Sequence, residues 1–317
     1  MIRARSKGPG KKETVPRRRL GRTGLMVPVI PVGTQAFSNV FKPISDDDAM
    51  GLMRHAVDIG LNHFDCSMCY GDSMRRLALA LRDGVIRRDQ VIITGRLCCH
   101  GKEPWLYTAA RAEATVQAQL DLLGMDRFDG MLIHDPQDFD AVMAPGGALD
   151  GLHRLKERGL VGAVGLGMSP IEWHLRAIAA DRLDLLLFFG QYSLLGWRSA
   201  EPLLAAAAAK DVGVMNGWSI MRGLLTGADV NEAAQRGNVA AHASWADHIK
   251  RANEMLVWCR HRGVHLLPLA LQFCLREERI AAHPIAPQTM DEMNMNVWAV
   301  SQKLPDGIFD ELVKHLQ

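Results

Sequence analysis

Asp65 and Tyr70 share the run Phe64-Asp65-Cys66-Ser67-Met68-Cys69-Tyr70-Gly71, directly after an apolar stretch with strand character, and His134 ends another such stretch in Ile133-His134-Asp135-Pro136. A phenol in water titrates at about 10, so Tyr70 can exchange a proton at neutral pH only if a neighbouring cation or hydrogen-bond donor favours its phenolate. Two groups can supply that help: His134, and Arg96 at the end of Ile92-Ile93-Thr94-Gly95-Arg96. Asp65 can orient and neutralise the cation through a charge-assisted hydrogen bond. Taken singly, each residue has an ordinary use: an aspartate at a strand end caps a turn, a tyrosine beside glycine packs on a rim, and a strand histidine is a hydrogen-bonded core group. Their conjunction at the ends of three apolar runs describes a proton-relay site and hence an enzyme.

Those side chains need strands to carry them. Strand-like runs occur at residues 29–32, 62–64, 91–94, 130–134, 162–166, 185–189, 212–215 and 280–285, alternating with amphipathic helical patterns. Eight such units predict an α/β fold, a (β/α)8 TIM barrel, with its chemistry at the C-terminal ends of the strands. Ser45 followed by Asp48 reads as a helix N-cap with an acidic first turn; Met50, Met53 and Val57 then share a face and Gly60 ends the helix. Ala114, Val116, Leu120 and Leu123 repeat the pattern before Gly124. Residues 19–27, with turn glycines Gly21 and Gly24, predict an N-terminal β-hairpin that plugs the barrel floor.

The chain of 317 residues is 48% hydrophobic and 23% charged, enough for one large domain. Thirty-seven basic residues nearly balance thirty-five acidic ones, which gives no electrostatic reason to expect nucleic acid or an anionic membrane as partner. The start differs: Arg3, Arg5, Lys7, Lys11, Lys12 and then Arg17, Arg18 and Arg19 form a basic arm. Residues 1–16 are expected to be a flexible basic extension and residues 17–317 the barrel domain. No apolar run reaches the roughly 18 residues of a membrane span and the N-terminus lacks a secretory apolar core, so a cytoplasmic location is expected. Six cysteines in a sequence with ample core read as free thiols. Cys66, Cys69, Cys98 and Cys99 fall at one barrel mouth and have ligand-like spacing for zinc or an iron–sulfur cluster, but adjacent Cys98 and Cys99 chelate awkwardly, and no metal is expected.

The motifs in order, Arg19-Leu20-Gly21-Arg22-Thr23-Gly24-Leu25, Gly60-Leu61-Asn62-His63-Phe64-Asp65, Tyr70-Gly71, Ile133-His134 and Gly223-Leu224-Leu225-Thr226-Gly227, resemble the aldo-keto reductase superfamily. Val164-Gly165-Leu166-Gly167-Met168 and Gln191-Tyr192-Ser193-Leu194-Leu195 are most similar to its branch of galactose, fucose, arabinose and pyridoxal dehydrogenases. The resemblance implies hydride transfer between a nicotinamide dinucleotide and a small-molecule carbonyl or alcohol carbon. Tyr70 would then be the general acid/base, Asp65, His134 and Arg96 its partners, and Tyr192 the face stacked on the nicotinamide. It also implies Ser169 and Gln191 at the carboxamide, the loop Trp218-Ser219-Ile220-Met221-Arg222-Gly223 at the pyrophosphate, and Thr34, Thr289, Glu292 and Asn296 as further cofactor contacts.

The chain departs from that pattern in two places that matter. Arg96 stands where the family carries a lysine, unless a one-residue slip puts Gly95 there; a fixed guanidinium predicts a Tyr70 biased toward phenolate and toward alcohol oxidation. Ala286, Pro287 and Glu292 stand where phosphate-preferring relatives carry a basic residue, a serine and an arginine, which favours NAD while leaving NADP possible. Phe37, Met68, Trp105 and Trp197 are expected to give the pocket bulky apolar walls. The rival reading is a non-catalytic nicotinamide-binding sensor or scaffold. The helical segment around 240–262 either covers the mouth or pads the barrel, and the pattern assigns no oligomeric state.

Overall fold

The structure, a computed structural model, describes residues 15–98 and 107–315. Strand Arg17–Arg19 (β1) pairs antiparallel with Met26–Pro28 (β2). The turn between them closes through Leu20 N–H donating to the Leu25 carbonyl at 2.8 Å, with Gly21 at φ +50° and Gly24 at φ +73°. A Cβ on Gly21 would lie 2.2 Å from the Gly213 backbone nitrogen, so only glycine lets the turn seat this closely. Leu20 and Val27 are buried with Leu132, Leu185, Leu187 and Met215 inside the barrel, and the hairpin plugs its floor.

Arg17, Arg18 and Arg19 are therefore not part of a free basic arm. Arg18 donates to the carbonyls of Leu275, Glu277 and Ile280, the last at 2.8 Å, and Arg19 pairs with Asp211 at 2.7 Å. Guanidinium groups here satisfy backbone acceptors, a use that composition alone does not reveal. Val15 is already buried in the core. Arg3, Arg5, Lys7, Lys11 and Lys12 of the expected extension lie outside the described residues.

The barrel alternates strand and helix: Val32–Gly33 (β3), Asp46–Asp58 (α1), His63–Ser67 (β4), Ser73–Arg82 (α2), Ile92–Cys98 (β5), Ala109–Leu123 (α3), Gly130–His134 (β6), Phe139–Met143 (α4) and Ala148–Glu157 (α5), Val164–Gly167 (β7), Ile171–Ala179 (α6), Leu185–Phe189 (β8), Glu201–Ala209 (α7) and Gly213–Gly217 (β9). Val230–Arg236 (α8), Ala246–His261 (α9) and Leu266–Leu275 (α10) precede the closing segment, and Met290–Ser301 (α11) and Ile308–His315 (α12) follow it. Strands β3 to β9 form one parallel sheet in sequence order.

The expected eighth strand at 280–285 is present as a closing segment rather than a full ladder. Ala281 N–H donates to Val214, Asn216 N–H to Ala282, and His283 and Ile285 N–H to Val29 and Pro31, so the segment ties β9 to β3 and closes the barrel. Pro31 and Pro284 have no N–H to give, and the ladder breaks where they sit. The same cause shortens the first strand, expected at 29–32, to Val32–Gly33.

Side chains alternate along each strand. Leu185 and Leu187 of β8 point into the barrel, whereas Leu186 and Phe188 join the helix-facing core. The expected caps hold: Ser45 Oγ accepts from Asp48 N–H at 3.1 Å, and Gly124 ends α3 at φ +63°. Helix α9 buries Ala252, Met255 and Trp258 against the barrel, while Trp245 just before it packs on Trp218 after β9 at 5.5 Å. The segment thus both pads the barrel and reaches the mouth. Among the described residues no helix is long and apolar enough to cross a membrane.

Candidate active site

Barrel strands become polar toward their C-terminal ends. His63, Asp65 and Ser67 alternate along β4 onto one face, and the register Asp65↔Thr94 and Ser67↔Arg96 sets Thr94 and Arg96 of β5 beside them. His134 ends β6 two residues after inward-facing Leu132. Apolar side chains fill the lower barrel and these polar ones fill its upper layers.

Arg96 is the hub. Its Nε donates to Asp65 Oδ1 at 3.3 Å, its Nη2 to Asp65 Oδ2, and its Nη1 to His134 Nε2 at 3.1 Å. Asp65 also accepts from Thr94 Oγ1 at 3.2 Å, and His63 Nε2 lies 3.0 Å from the same hydroxyl. Asp65, Arg96 and His134 are all buried. The guanidinium meets Tyr70 through the ring, with Cζ 5.7 Å from its centroid, and His134 stands edge-on to that ring at 5.9 Å. Gly95 turns the other way, toward Phe128 and Met131, so Arg96 is the third-strand group at the site.

This arrangement reverses the expected bias of Tyr70. Burial raises the phenol's pKa, Arg96 lowers it, and Asp65 cancels part of Arg96's effect; the net direction is upward. Tyr70 is held as a phenol and not tilted toward phenolate. Burial is the largest single influence on Arg96 and opposes its charge, but Asp65, Tyr70 and Asp135 together outweigh it and keep the guanidinium charged. Because Arg96 has only donors, His134 Nε2 accepts from it, and the neutral ring then carries its proton on Nδ1. Asp135 Oδ2 is a more distant neighbour of Nε2 at 3.4 Å.

A cavity of about 760 Å³ opens over these groups. Of the residues singled out from sequence, Asp65, Tyr70, Arg96, His134, Trp218, Ser219, Arg222, Gly223, Glu292 and Asn296 line it. Thr34, Ser169, Gln191, Tyr192 and Thr289 are not in its described wall. Thr34 is buried with its hydroxyl 3.4 Å from Ser73 Oγ, and Gln191 Nε2 donates to the Ser169 carbonyl at 2.8 Å. Tyr192 packs near Phe273, and its carbonyl accepts from Asn216 Nδ2 at 2.8 Å. Thr289 is the N-cap of α11, its Oγ1 accepting from Glu292 N–H at 3.0 Å. Among the aromatic side chains in the cavity wall is Trp218, packed on Phe189 at 4.7 Å.

Of the expected apolar walls, Phe37 is fully buried, Met68 is exposed, Trp197 packs on Phe273, and Trp105 lies outside the described residues. Phe41, Leu187, Phe189, Ile220 and Leu267 line the cavity instead. Cys66 is a buried free thiol, and the Cys69 sulfur lies against Ser67 and His134. The Cys98 side chain and Cys99 lie outside the description, and among the described residues no three His, Cys, Asp or Glu groups converge as a metal site.

The cavity suits a nicotinamide dinucleotide in its polar groups. Ser219 is 1% exposed, lines the wall, and its Oγ has no protein partner. Such an orphan is costly unless a ligand satisfies it. Trp218, Met221 and Arg222 hold φ of +62°, +47° and +53°, a concentration of left-handed backbone in one loop. Arg222 and Arg236 supply positive charge there, whereas Asp291 and Glu292 are the charged groups at the α11 end. Glu292 Oε2 accepts from Gln288 N–H at 2.7 Å, which fixes the carboxylate at the wall.

Sequence reasoning missed Thr94 and Arg236, and it placed Cys69 at the mouth only as a candidate metal ligand. Thr94 is two residues before Arg96 and so shares its strand face, a signal that was readable. Cys69 adjoins Tyr70 and its Sγ lies 3.5 Å from His134 Nδ1, whereas Arg236 on α8 carries no local signal.

The chain matches the model of the "Aldo/keto reductase family" over residues 29–317. It is 24% identical to D-threo-aldose 1-dehydrogenase of a Pseudomonas species, covering 92% of this chain and 94% of that protein. It is 25% identical to L-galactose dehydrogenase of Arabidopsis thaliana, covering 95% and 92%. A crystal structure of a candidate aldo-keto reductase from Pseudomonas aeruginosa superposes with a TM-score of 0.68 at 23% identity, covering 92% and 97%, and supports the fold alone.

Proposed function

The chain belongs to the aldo/keto reductase family and is an enzyme of that type, and from that premise we propose that it transfers a hydride between a nicotinamide dinucleotide and the carbonyl carbon of a sugar or small aldehyde. Tyr70 is the proton donor in this reading. The observation that carries it is the buried Asp65–Arg96–His134 cluster packed against a phenol whose pKa burial has raised.

Trp218, Ser219, Arg222, Gly223 and Arg236 would hold the dinucleotide at the loop after β9, with Glu292 and Asn296 at its far end. When bound, the dinucleotide supplies or accepts the hydride. The carboxylates of Asp291 and Glu292 at that end disfavour a 2′-phosphate and favour NAD. Asp65 and Arg96 neutralise one another, so the cluster offers a carbonyl oxygen hydrogen-bonding groups without a free cation. His134, accepting at Nε2, fixes the ring beside Tyr70. Tyr70 gives up its proton as the carbonyl oxygen gains charge, a role that suits carbonyl reduction at neutral pH better than alcohol oxidation.

The test is turnover of an aldose and aldehyde panel with NAD(H) and NADP(H) in both directions, across pH. Reduction is expected to hold through neutral pH and oxidation to rise only above about pH 10, because burial holds the phenol's pKa above its ordinary value. Tight dinucleotide binding without turnover of any panel member would instead make the chain a binding protein of the same fold.

A further inference from the structure

One side-chain layer below Asp65 and Arg96 lie two residues that the proposed reaction leaves without a task. His63 stands two residues before Asp65 on β4, and Thr94 two before Arg96 on β5, so all four share the inner face. Both are fully buried. His63 Nε2 lies 3.0 Å from Thr94 Oγ1, and that hydroxyl lies 3.2 Å from Asp65 Oδ1.

The protons in this chain run one way. Asp65, paired with an always-charged guanidinium, is a carboxylate and can only accept. The single Thr94 hydroxyl proton therefore goes to Oδ1, and His63 must meet the hydroxyl oxygen as a donor, with its proton on Nε2. Burial lowers His63 to about 4, Asp65 and Asp129 oppose that shift and Arg17 adds to it, so the ring is neutral at neutral pH and carries one proton. Nδ1 is then an acceptor, buried and without a partner. An aliphatic side chain would fill this layer without that desolvation cost, so what the histidine adds is the Nε2 donor. His174 and His283 are buried as deeply, but they bond the Met168 carbonyl and the Asn216 amide and do not reach this cluster.

Thr94 decides how Asp65 divides its charge. Its methyl packs on β6, where a Cβ on Gly130 would come within 3.3 Å of Cγ2, and this holds the hydroxyl toward the carboxylate. Oδ1 is shared between Thr94 and Arg96 Nε, and the Nε bond, at 3.3 Å, is the longer arm of the Arg96 fork. Both donors draw on the same negative charge, and the part that Thr94 takes does not cancel Arg96. Burial raises the Tyr70 pKa, Arg96 lowers it and Asp65 raises it, so the balance between Asp65 and Arg96 reaches the phenol.

We propose that His63 and Thr94 are positioning residues for the reaction, a proton-ordered strut that fixes the Asp65 carboxylate and so keeps the charge of Arg96 directed at Tyr70. The inference rests on the reductase reading for its consequence, not for its geometry.

Thr94→Val is isosteric and removes only the donor, whereas Thr94→Ser keeps the donor and removes the methyl. On the best substrate of the panel, Thr94→Val is expected to lower kcat for reduction by about five-fold or more, the equivalent of one hydrogen bond, with KM and dinucleotide affinity within about two-fold of the parent. Thr94→Ser is expected to retain most of the parent's kcat. The reverse ranking would make Thr94 a packing residue and overturn the proposal, as would a KM that rises while kcat holds. His63→Leu is expected to lower kcat by a smaller factor, and an unchanged kcat would overturn its part. In the parent chain without dinucleotide, long-range nitrogen NMR is expected to find the His63 proton on Nε2; a proton on Nδ1 would overturn the ordered chain even if no variant folds. A parent that turns over no carbonyl sinks the reductase reading and the catalytic use of the strut together, whereas turnover untouched by Thr94→Val sinks this inference alone.

Discussion

Replacing Arg96 by methionine removes the partner of a carboxylate that is almost fully enclosed. The side chains of Arg96 and Asp65 are 7% and 2% exposed. Asp65 accepts from Arg96 Nε and Nη2 and from Thr94 Oγ1, so Arg96→Met leaves it one hydrogen bond for a full buried charge. Breaking such a pair costs about 3–5 kcal/mol, because the remaining carboxylate must either stay charged with one hydrogen bond or take up a proton. Removing both charges avoids most of that cost. The double variant Asp65→Asn/Arg96→Met is therefore expected to be more stable than Arg96→Met by about 2 kcal/mol or more. Urea unfolding of the dinucleotide-free chains at neutral pH, followed by circular dichroism, measures both differences. If Arg96→Met unfolds within about 0.5 kcal/mol of the parent, or the double variant is no more stable than the single one, the account of the cluster as a closed buried pair is wrong.

Three further perturbations probe separate parts of the structure. Burial lowers His63 and His174 to about 4 and His283 to about 3, so the native chain refuses protons that the unfolded chain accepts below about 6.5. Their stabilisation is complete above that pH and is lost as pH falls toward 4, at up to about 1.4 kcal/mol per pH unit for each histidine; an equal or higher urea midpoint at pH 5 than at pH 7 would contradict this. Gly21→Ala sets a Cβ 2.2 Å from the Gly213 nitrogen at φ +50° and should lower stability by more than about 1 kcal/mol in thermal melts, with no loss if the hairpin does not seat on the floor. Glu292→Gln keeps an acceptor for Gln288 N–H but removes the charge, and should raise NADP affinity relative to NAD by about five-fold or more; an unchanged ratio in binding titrations would remove Glu292 from the ribose end.

The fold was legible where local chemistry and the barrel agree. Ser45 and Gly124 mark helix ends by capping alone, and the apolar runs at 130–134 and 185–189 coincide with β6 and β8. Runs ended too early at β4 and β5, because strand character was read from apolar residues and these strands continue through Asp65-Cys66-Ser67 and Gly95-Arg96. The polar continuation is the site itself, carried on inward-facing positions that water-exposed loops would mimic in sequence. Arg17–Arg19 looked like a free arm because charge does not say which carbonyls a guanidinium will satisfy. Tyr192 was expected as the stacking face from the family resemblance alone; it packs near Phe273, and Trp218 after β9 lines the cavity. The bias of Tyr70 needed depth as well as neighbours: Arg96 is adjacent, but Asp65 spends its charge and burial decides the direction.

The central claim is that the Tyr70 hydroxyl delivers the proton in carbonyl reduction. Steady-state turnover of Tyr70→Phe on the best substrate of the panel, with dinucleotide affinity measured alongside, tests it most directly. A fall in kcat of at least about 100-fold with dinucleotide binding intact is the expected outcome. Turnover by Tyr70→Phe at the parent's rate would show that the proton comes from another group.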